Sequence, residues 1–191
     1  KEMYSWVDQG GNHITLKPEG TASIARAYIQ HNLGKINSLN KLYYLGSFFR
    51  RERPQKGRLR QFNQFGAEVI GSSYPEQDAE IITLAYNFYK SLGLNELTLK
   101  INSIGSKETR KKYTQHLYDY LLKHKGELTQ TSKKRLNENP LRILDSKVEF
   151  EQRILEEAPK IIDFLSKKDK EHFSQTLHYL NTLKIKYIID H

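Results

Sequence analysis

Eleven consecutive residues, Arg50 through Arg60, hold six basic side chains and one acidic one. Such a cluster repels itself and is maintained where an anion is expected. Five of the six are arginines, and a guanidinium binds phosphate bidentately where lysine acts only as a point charge. The next residues, if extended, alternate between two faces. One face is Gln61, Asn63, Phe65, Ala67 and Val69; the other is Arg60, Phe62, Gln64, Gly66, Glu68 and Ile70. The second face sets a cation, a ring, an amide and a carboxylate in a row, with a glycine in the middle. A buried sheet face would not carry Gln and Glu without partners. A solvent face would need neither the ring nor a glycine that admits something to the backbone. A ligand floor accounts for all of them, although parity alone leaves a solvated edge strand open. Arg50 shares parity with Glu52 and, depending on register, faces the same pocket. Phe62 beside arginines suits a purine stacked between aromatic and guanidinium planes. The chemistry indicated is a nucleoside triphosphate site on an antiparallel sheet. No G-x-x-x-x-G-K-[ST] loop occurs, Gly105-Ser106-Lys107 lacks the upstream glycine, and no Rossmann glycine fingerprint is present.

Several elements must position these residues. Residues 1–7, through Met3, Trp6 and Val7, and His13 to Leu16 read as a small hairpin around an Asp8–Asn12 turn. Thr21 reads as the N-cap of a helix whose apolar side chains Ala22, Ala25 and Ile29 share a face and which Gly34 stops. Lys41–Arg50 and Arg60–Gly71 read as two long antiparallel strands, joined by a loop that Pro54 and Gly57 mark. Ile81, Ala85, Phe88 and Leu92 predict an amphipathic helix between Pro75 and Gly93. A strand follows at Leu97–Ile101. Beyond Gly105 come a basic helix through Tyr113, Leu117 and Leu121, ended by Gly126, then a turn at Asn139-Pro140 and a helix through Phe173, Leu177 and Leu180. A last strand alternates at Ile185, Tyr187 and Ile189. The predicted fold is α+β: an antiparallel β-sheet core flanked by helices, incomplete, with a mostly helical insertion domain. The boundaries expected are 1–104 for the partial core, 105–184 for the helical domain and 185–191 for a return strand.

The 191 residues bound this to one domain or one with a smaller appendage. Lys1 in place of Met, and a final strand without a closing element, predict a piece of a longer protein. With no cysteine there is no disulfide scaffold, no thiolate zinc site and no cysteine nucleophile. A cytoplasmic location is expected, with no membrane span. The formal net charge of +9 is localised: residues 50–60 carry +5, residues 106–137 carry +6, and the remainder sums to −2. The seven histidines show no convincing ligand spacing, so no metal-binding or catalytic role is expected of them.

The run Phe49-Arg50-Arg51-Glu52-Arg53-Pro54-Gln55-Lys56-Gly57-Arg58-Leu59-Arg60-Gln61-Phe62-Asn63-Gln64-Phe65-Gly66-Ala67-Glu68 closely resembles motif 2 of class II aminoacyl-tRNA synthetases, in the form typical of histidyl-tRNA synthetases. Leu16-Lys17-Pro18-Glu19-Gly20-Thr21 looks like that family's segment between motifs 1 and 2, and Asn139-Pro140-Leu141-Arg142-Ile143-Leu144-Asp145 resembles a landmark of its insertion region. The resemblance implies that Arg50 is the catalytic arginine holding the ATP α-phosphate and the amino-acid carboxylate. Glu52, Arg58 and Phe62 would also contact ATP, Phe62 by stacking on adenine. Glu19, Thr21 and Gln64 would bind the histidine α-amino group, and Glu68 would read the imidazole. At a helix start, capping is the ordinary reading of Glu19 and Thr21. ATP and Mg²⁺ are the implied cofactors, tRNA(His) and histidine the implied partners, and a homodimer the implied full-length assembly.

Within these residues motif 1, a glycine-rich motif 3 and the histidine-specific loop find no counterpart, and neither does the anticodon-binding domain. Smaller departures are Lys17, where arginine is usual, and Leu59, where tyrosine is common. The chain by itself is therefore expected not to aminoacylate. A non-catalytic, synthetase-like regulatory subunit of histidine biosynthesis is the alternative; such relatives usually lose parts of the ATP site, and the four ATP residues favour the enzyme. A plain RNA-binding module would leave the arginine cluster unexplained. In the insertion, Lys133, Lys134 and Arg135 are candidate tRNA phosphate contacts, against a solvated lysine-rich face.

Overall fold

The computed structural model describes residues 3–53 and 55–190. Pro54, read above as marking the loop, and His191 lie outside them. The chain divides into two compact units, Lys1–Gln77 and Asp78–His191.

In the first unit, β1 (Ser5–Val7) and β2 (His13–Thr15) pair antiparallel. The Asp8 carboxylate closes their turn by accepting the Asn12 backbone N–H at 2.8 Å. Helix α1 (Thr21–Gln30) ends at His31, earlier than Gly34, and α2 (Leu33–Ile36) follows. The break is at Asn32, which takes left-handed backbone with φ of 49°, a conformation asparagine tolerates better than most residues. Gly34 instead makes room for a ring, since a Cβ there would lie 2.2 Å from the Tyr28 hydroxyl. The two long strands, β3 (Asn40–Phe49) and β4 (Gln61–Ile70), form an antiparallel hairpin in the register Phe48↔Phe62, Gly46↔Gln64, Tyr44↔Gly66 and Leu42↔Glu68.

In the second unit, α3 (Pro75–Ser91, beginning in the first unit) and β5 (Leu99–Ile101) precede the helices α4 (Lys107–Lys123), α5 (Gln130–Glu138), α6 (Glu149–Glu156) and α7 (Lys167–Thr182), and β6 (Tyr187–Ile189) ends it. The strands of the described residues form three separate pairs; β1–β2 and β3–β4 are antiparallel, as predicted, and β5 and β6 run parallel. Tyr113, Leu117 and Leu121 of α4 build one apolar core with Leu128, Leu136, Ile143 and Ala158. Ala79, Leu180 and Ile185 build another, against which Ile82, Tyr86, Leu99, Ile101 and Tyr187 pack. Through this second cluster α3 and β5 share their burial with α7 and β6.

Two carboxylates organise the helical part. Glu151, fully buried on α6, accepts from the Thr129 backbone N–H at 2.8 Å, from the Ser132 hydroxyl at 3.0 Å and from the Ser146 hydroxyl. Burial pushes its carboxyl up, and these donors more than reverse that, leaving it below the usual range. Asp169 completes a capping box with Ser166 at the start of α7. It also reaches the start of α4, accepting from the Thr109 hydroxyl at 2.6 Å and the Ser106 backbone N–H at 3.1 Å. The Thr109 hydroxyl, then the Ser166 and Ser106 donors, hold the Asp169 carboxyl well below the ordinary carboxylate range despite burial. One anion thus serves two helix N-termini, where negative charge is favoured. No helix among the described residues is long and apolar enough to cross a membrane.

A carboxyl whose folded-state pKa is lowered contributes stability that is complete above its unfolded value, near about 4, and is lost as pH falls towards the lowered value. Urea unfolding of the chain at pH 7 and pH 3 should therefore show a steep acid loss that Asp169→Asn reduces. Identical acid slopes in parent and variant would show that Asp169 does not carry the effect.

Candidate functional site

The hairpin register decides what shares a surface. Pairing Phe48 with Phe62 places Leu42, Tyr44, Gly46 and Phe48 on the same face as Phe62, Gln64, Gly66 and Glu68. The Arg50 backbone N–H donates to the Arg60 carbonyl at 2.9 Å, which carries the same parity one step into the loop. This face is the sheltered one. On the other, Tyr43 is 84% and Leu45 77% exposed.

The segment before α1 is fastened onto the end of β3. The Phe49 backbone N–H donates to the Lys17 carbonyl at 3.0 Å, and the Arg50 Nε–H to the Pro18 carbonyl at 2.9 Å. The second bond aims the Arg50 guanidinium, whose Cζ stands 5.0 Å from the centre of the Phe62 ring. Lys17 Nζ stands 4.8 Å over the Phe48 ring. In the loop, the Arg58 Nη1 donates to Glu52 Oε2 at 3.1 Å. Arg50, Glu52, Arg58 and Phe62, the four residues assigned to ATP from sequence, line one cavity of about 450 Å³ together with Gly57, Leu59 and Asn63.

The four residues assigned to the amino acid belong to the same unit. The Thr21 hydroxyl donates to Glu68 Oε1 at 2.6 Å, bridging 47 positions of sequence. The cap of α1 is therefore not Thr21: the cap position is Gly20, and the Glu19 carboxylate accepts the Ala22 backbone N–H at 3.0 Å. The Gln64 Nε2–H donates to the Tyr44 hydroxyl at 3.3 Å, and Gln64 Oε1 is buried without a hydrogen-bond partner.

Tyr44 is the residue that sequence reasoning missed. A Cβ on Gly20 would lie 2.3 Å from its ring, and a Cβ on Gly66 2.4 Å from it. Gly66 therefore admits a side chain of the hairpin itself. The available signal was parity: Tyr44 and Phe48 alternate with Arg50 on the incoming strand. The candidate tRNA residues belong to the second unit, on α5. Lys133 Nζ reaches the Gly126 carbonyl at 3.4 Å, Arg135 Nη1 the Arg142 carbonyl at 3.1 Å, and Lys134 Nζ comes within 3.9 Å of Glu138. Among the described residues no group of three His, Cys, Asp or Glu side chains is placed to hold a metal ion.

A family model described as histidyl-tRNA synthetase matches residues 1–190. The histidine–tRNA ligase of Oceanobacillus iheyensis is 49% identical over 191 residues, which cover 100% of this chain and 44% of that protein. That of Thermosynechococcus vestitus is 48% identical over 190 residues, again 100% of this chain and 44% of the relative. The crystal structure of apo S. aureus histidyl-tRNA synthetase superposes with a TM-score of 0.77 at 39% identity, covering 98% of this chain and 44% of that one. A structure described as an ATP phosphoribosyltransferase regulatory subunit/histidyl-tRNA synthetase from Bacillus halodurans C superposes with a TM-score of 0.62 at 21% identity over 98% of this chain and 53% of that one; this likeness shows the fold alone. The chain spans less than half the length of the curated relatives it matches.

Gly66→Ala should force Tyr44 out of its slot, because ring and backbone cannot both move away from a Cβ at 2.4 Å. Overpacking of this kind costs about 1–3 kcal/mol, read as a fall in Tm of several degrees. A variant that melts with the parent would show the slot to be loose.

Proposed function

The chain belongs to the histidyl-tRNA synthetase family, and from that premise we propose that it is the part of a histidine–tRNA ligase that binds ATP and histidine and joins them as histidyl-adenylate for transfer to tRNA(His). The observation that supports this most is the convergence of Arg50, Glu52, Arg58 and Phe62 on one cavity. In this reading residues 1–104 and the return strand 185–191 are catalytic core, residues 105–184 are the insertion domain, and the whole enzyme works as a homodimer in the cytoplasm.

The chemistry follows from the positions. Adenine stacks on the Phe62 ring, and Arg50, held over that ring by the Pro18 carbonyl, meets the α-phosphate. The histidine carboxylate attacks phosphorus there, a P–O bond to the carboxylate forms, and the bond to pyrophosphate breaks. Charge grows on the phosphoryl oxygens, and a fixed guanidinium stabilises it without reorganising. Glu52 keeps the Arg58 guanidinium in the loop, where it contacts the nucleotide. Thr21, Gln64 and Glu19 hold the histidine amino group, and Glu68 reads the imidazole. No side chain is needed as a nucleophile. Mg²⁺ is proposed to arrive on the ATP phosphates; the described residues offer no cage of three ligating side chains. In the second unit Lys133, Lys134 and Arg135 are proposed to contact tRNA phosphates, a role that requires them to exchange their intramolecular partners.

Calorimetric titration of the chain with ATP tests the nucleotide site. A charge-assisted bond is worth about 1.5–3 kcal/mol, so Arg50→Ala should weaken ATP binding roughly 10- to 100-fold. Equal affinities in parent and variant would overturn the assignment. Since a second ATP arginine of the motif 3 kind is not found within these residues, the chain alone is expected to show no histidine-dependent ATP–pyrophosphate exchange. Exchange well above background, measured with labelled pyrophosphate, would refute that.

A further inference from the structure

Tyr44 fills a slot made by the missing side chains of Gly20 and Gly66, and its edge rests on Phe48, with ring centres 5.8 Å apart. That packing needs only a ring, so phenylalanine would serve. The hydroxyl does something else: it accepts the Gln64 Nε2–H at 3.3 Å. A primary amide has a donor end and an acceptor end. With nitrogen committed to Tyr44, oxygen is left as the free end, and Gln64 Oε1 is buried with no partner among the described residues. A buried acceptor left unpaired is costly, and a donor entering the site would relieve it.

The surroundings indicate the charge of that donor. Glu68 takes the Thr21 hydroxyl through Oε1, and Glu19 caps α1. This stretch of the face presents acceptors; Arg50 stands at the Phe62 end, and Lys17 Nζ lies over Phe48 beside Gly46, the register partner of Gln64. The carboxylates of Glu19 and Glu68 favour a cationic donor.

We propose that Tyr44 is a positioning residue which, by accepting the Gln64 amide N–H while wedged between Gly20 and Gly66, presents Gln64 Oε1 as the acceptor for the protonated amino group of the amino-acid substrate. This rests on the reading of the site given above.

The test is Tyr44→Phe, which keeps the ring in its slot and removes only the hydroxyl, with circular dichroism melting to confirm that it folds. Three ligands are titrated into parent and variant: histidine, the deamino analogue imidazole-propionate, and ATP. Histidine affinity should fall about tenfold, while imidazole-propionate and ATP change less than twofold. The side-chain amide resonances of Gln64 should shift in ¹H–¹⁵N spectra without ligand. Equal losses for all three ligands would mean a merely structural role, and unmoved Gln64 resonances or unchanged histidine affinity would overturn the inference while leaving the proposed function standing. If the parent binds neither histidine nor ATP, the reading of the site fails first and this inference with it.

Discussion

Alternation of side chains across paired strands makes one variable decisive in the first unit: the register of the hairpin. Phe48 opposite Phe62 puts Tyr44, Gly46, Gln64, Gly66 and Glu68 on one surface, and a slip of one residue would turn all of them away together. The segment around Lys17 and Pro18 reads that register, because it is bonded to Phe49 and Arg50 at the end of β3. Tyr44 secures the same docking from within, since its ring requires glycine both on the approaching segment and on the facing strand. The cavity at the loop and the Thr21–Glu68 bridge are consequences of this arrangement.

The second unit is held on a different principle. Its helices α5 and α6 have only 9 and 8 residues, and short helices are marginal by propensity alone. Burial around Leu117, Leu121 and Leu136 supplies the non-directional part. Direction comes from Glu151 and Asp169, each of which accepts from donors on more than one segment. Both are held ionised by hydroxyl and amide donors, which ties the stability of the helical unit to pH.

The excess positive charge divides between the units and is used differently in each. At the hairpin, Arg50 is aimed by a backbone carbonyl and Arg58 is held by Glu52, leaving the cations in the lining of a cavity. On α5, Lys133 and Arg135 satisfy carbonyls at the ends of neighbouring turns. Exposed contacts of this kind contribute little, so they constrain the side chains without removing their charge from the surface.

Much of this was legible in the residues. The parity of Phe62, Gln64 and Glu68, the arginine density of the loop and the two long strands are local patterns, and local geometry preserves them. So were α3, with Pro75 and Gly93 at its ends, and α4. Two short helices, α5 and α6, were not separately legible; α5 is tied to α6 through Glu151, 19 or more positions from its Thr129 and Ser132 donors. The parallel pairing of β5 with β6 was also hidden: three-residue strands carry no signal of their partner's direction. At the site, Thr21 read as a helix cap and Gly66 as an opening for a ligand. Folding gave the Thr21 hydroxyl to Glu68 and the space at Gly66 to Tyr44. Residue type and alternation alone established the face and its charges; its kinship rests on the resemblance of whole motifs. Which side chains meet across that face, and which end of the Gln64 amide is left open, depends on contacts between residues 20 to 47 positions apart, and only the tertiary structure could decide it.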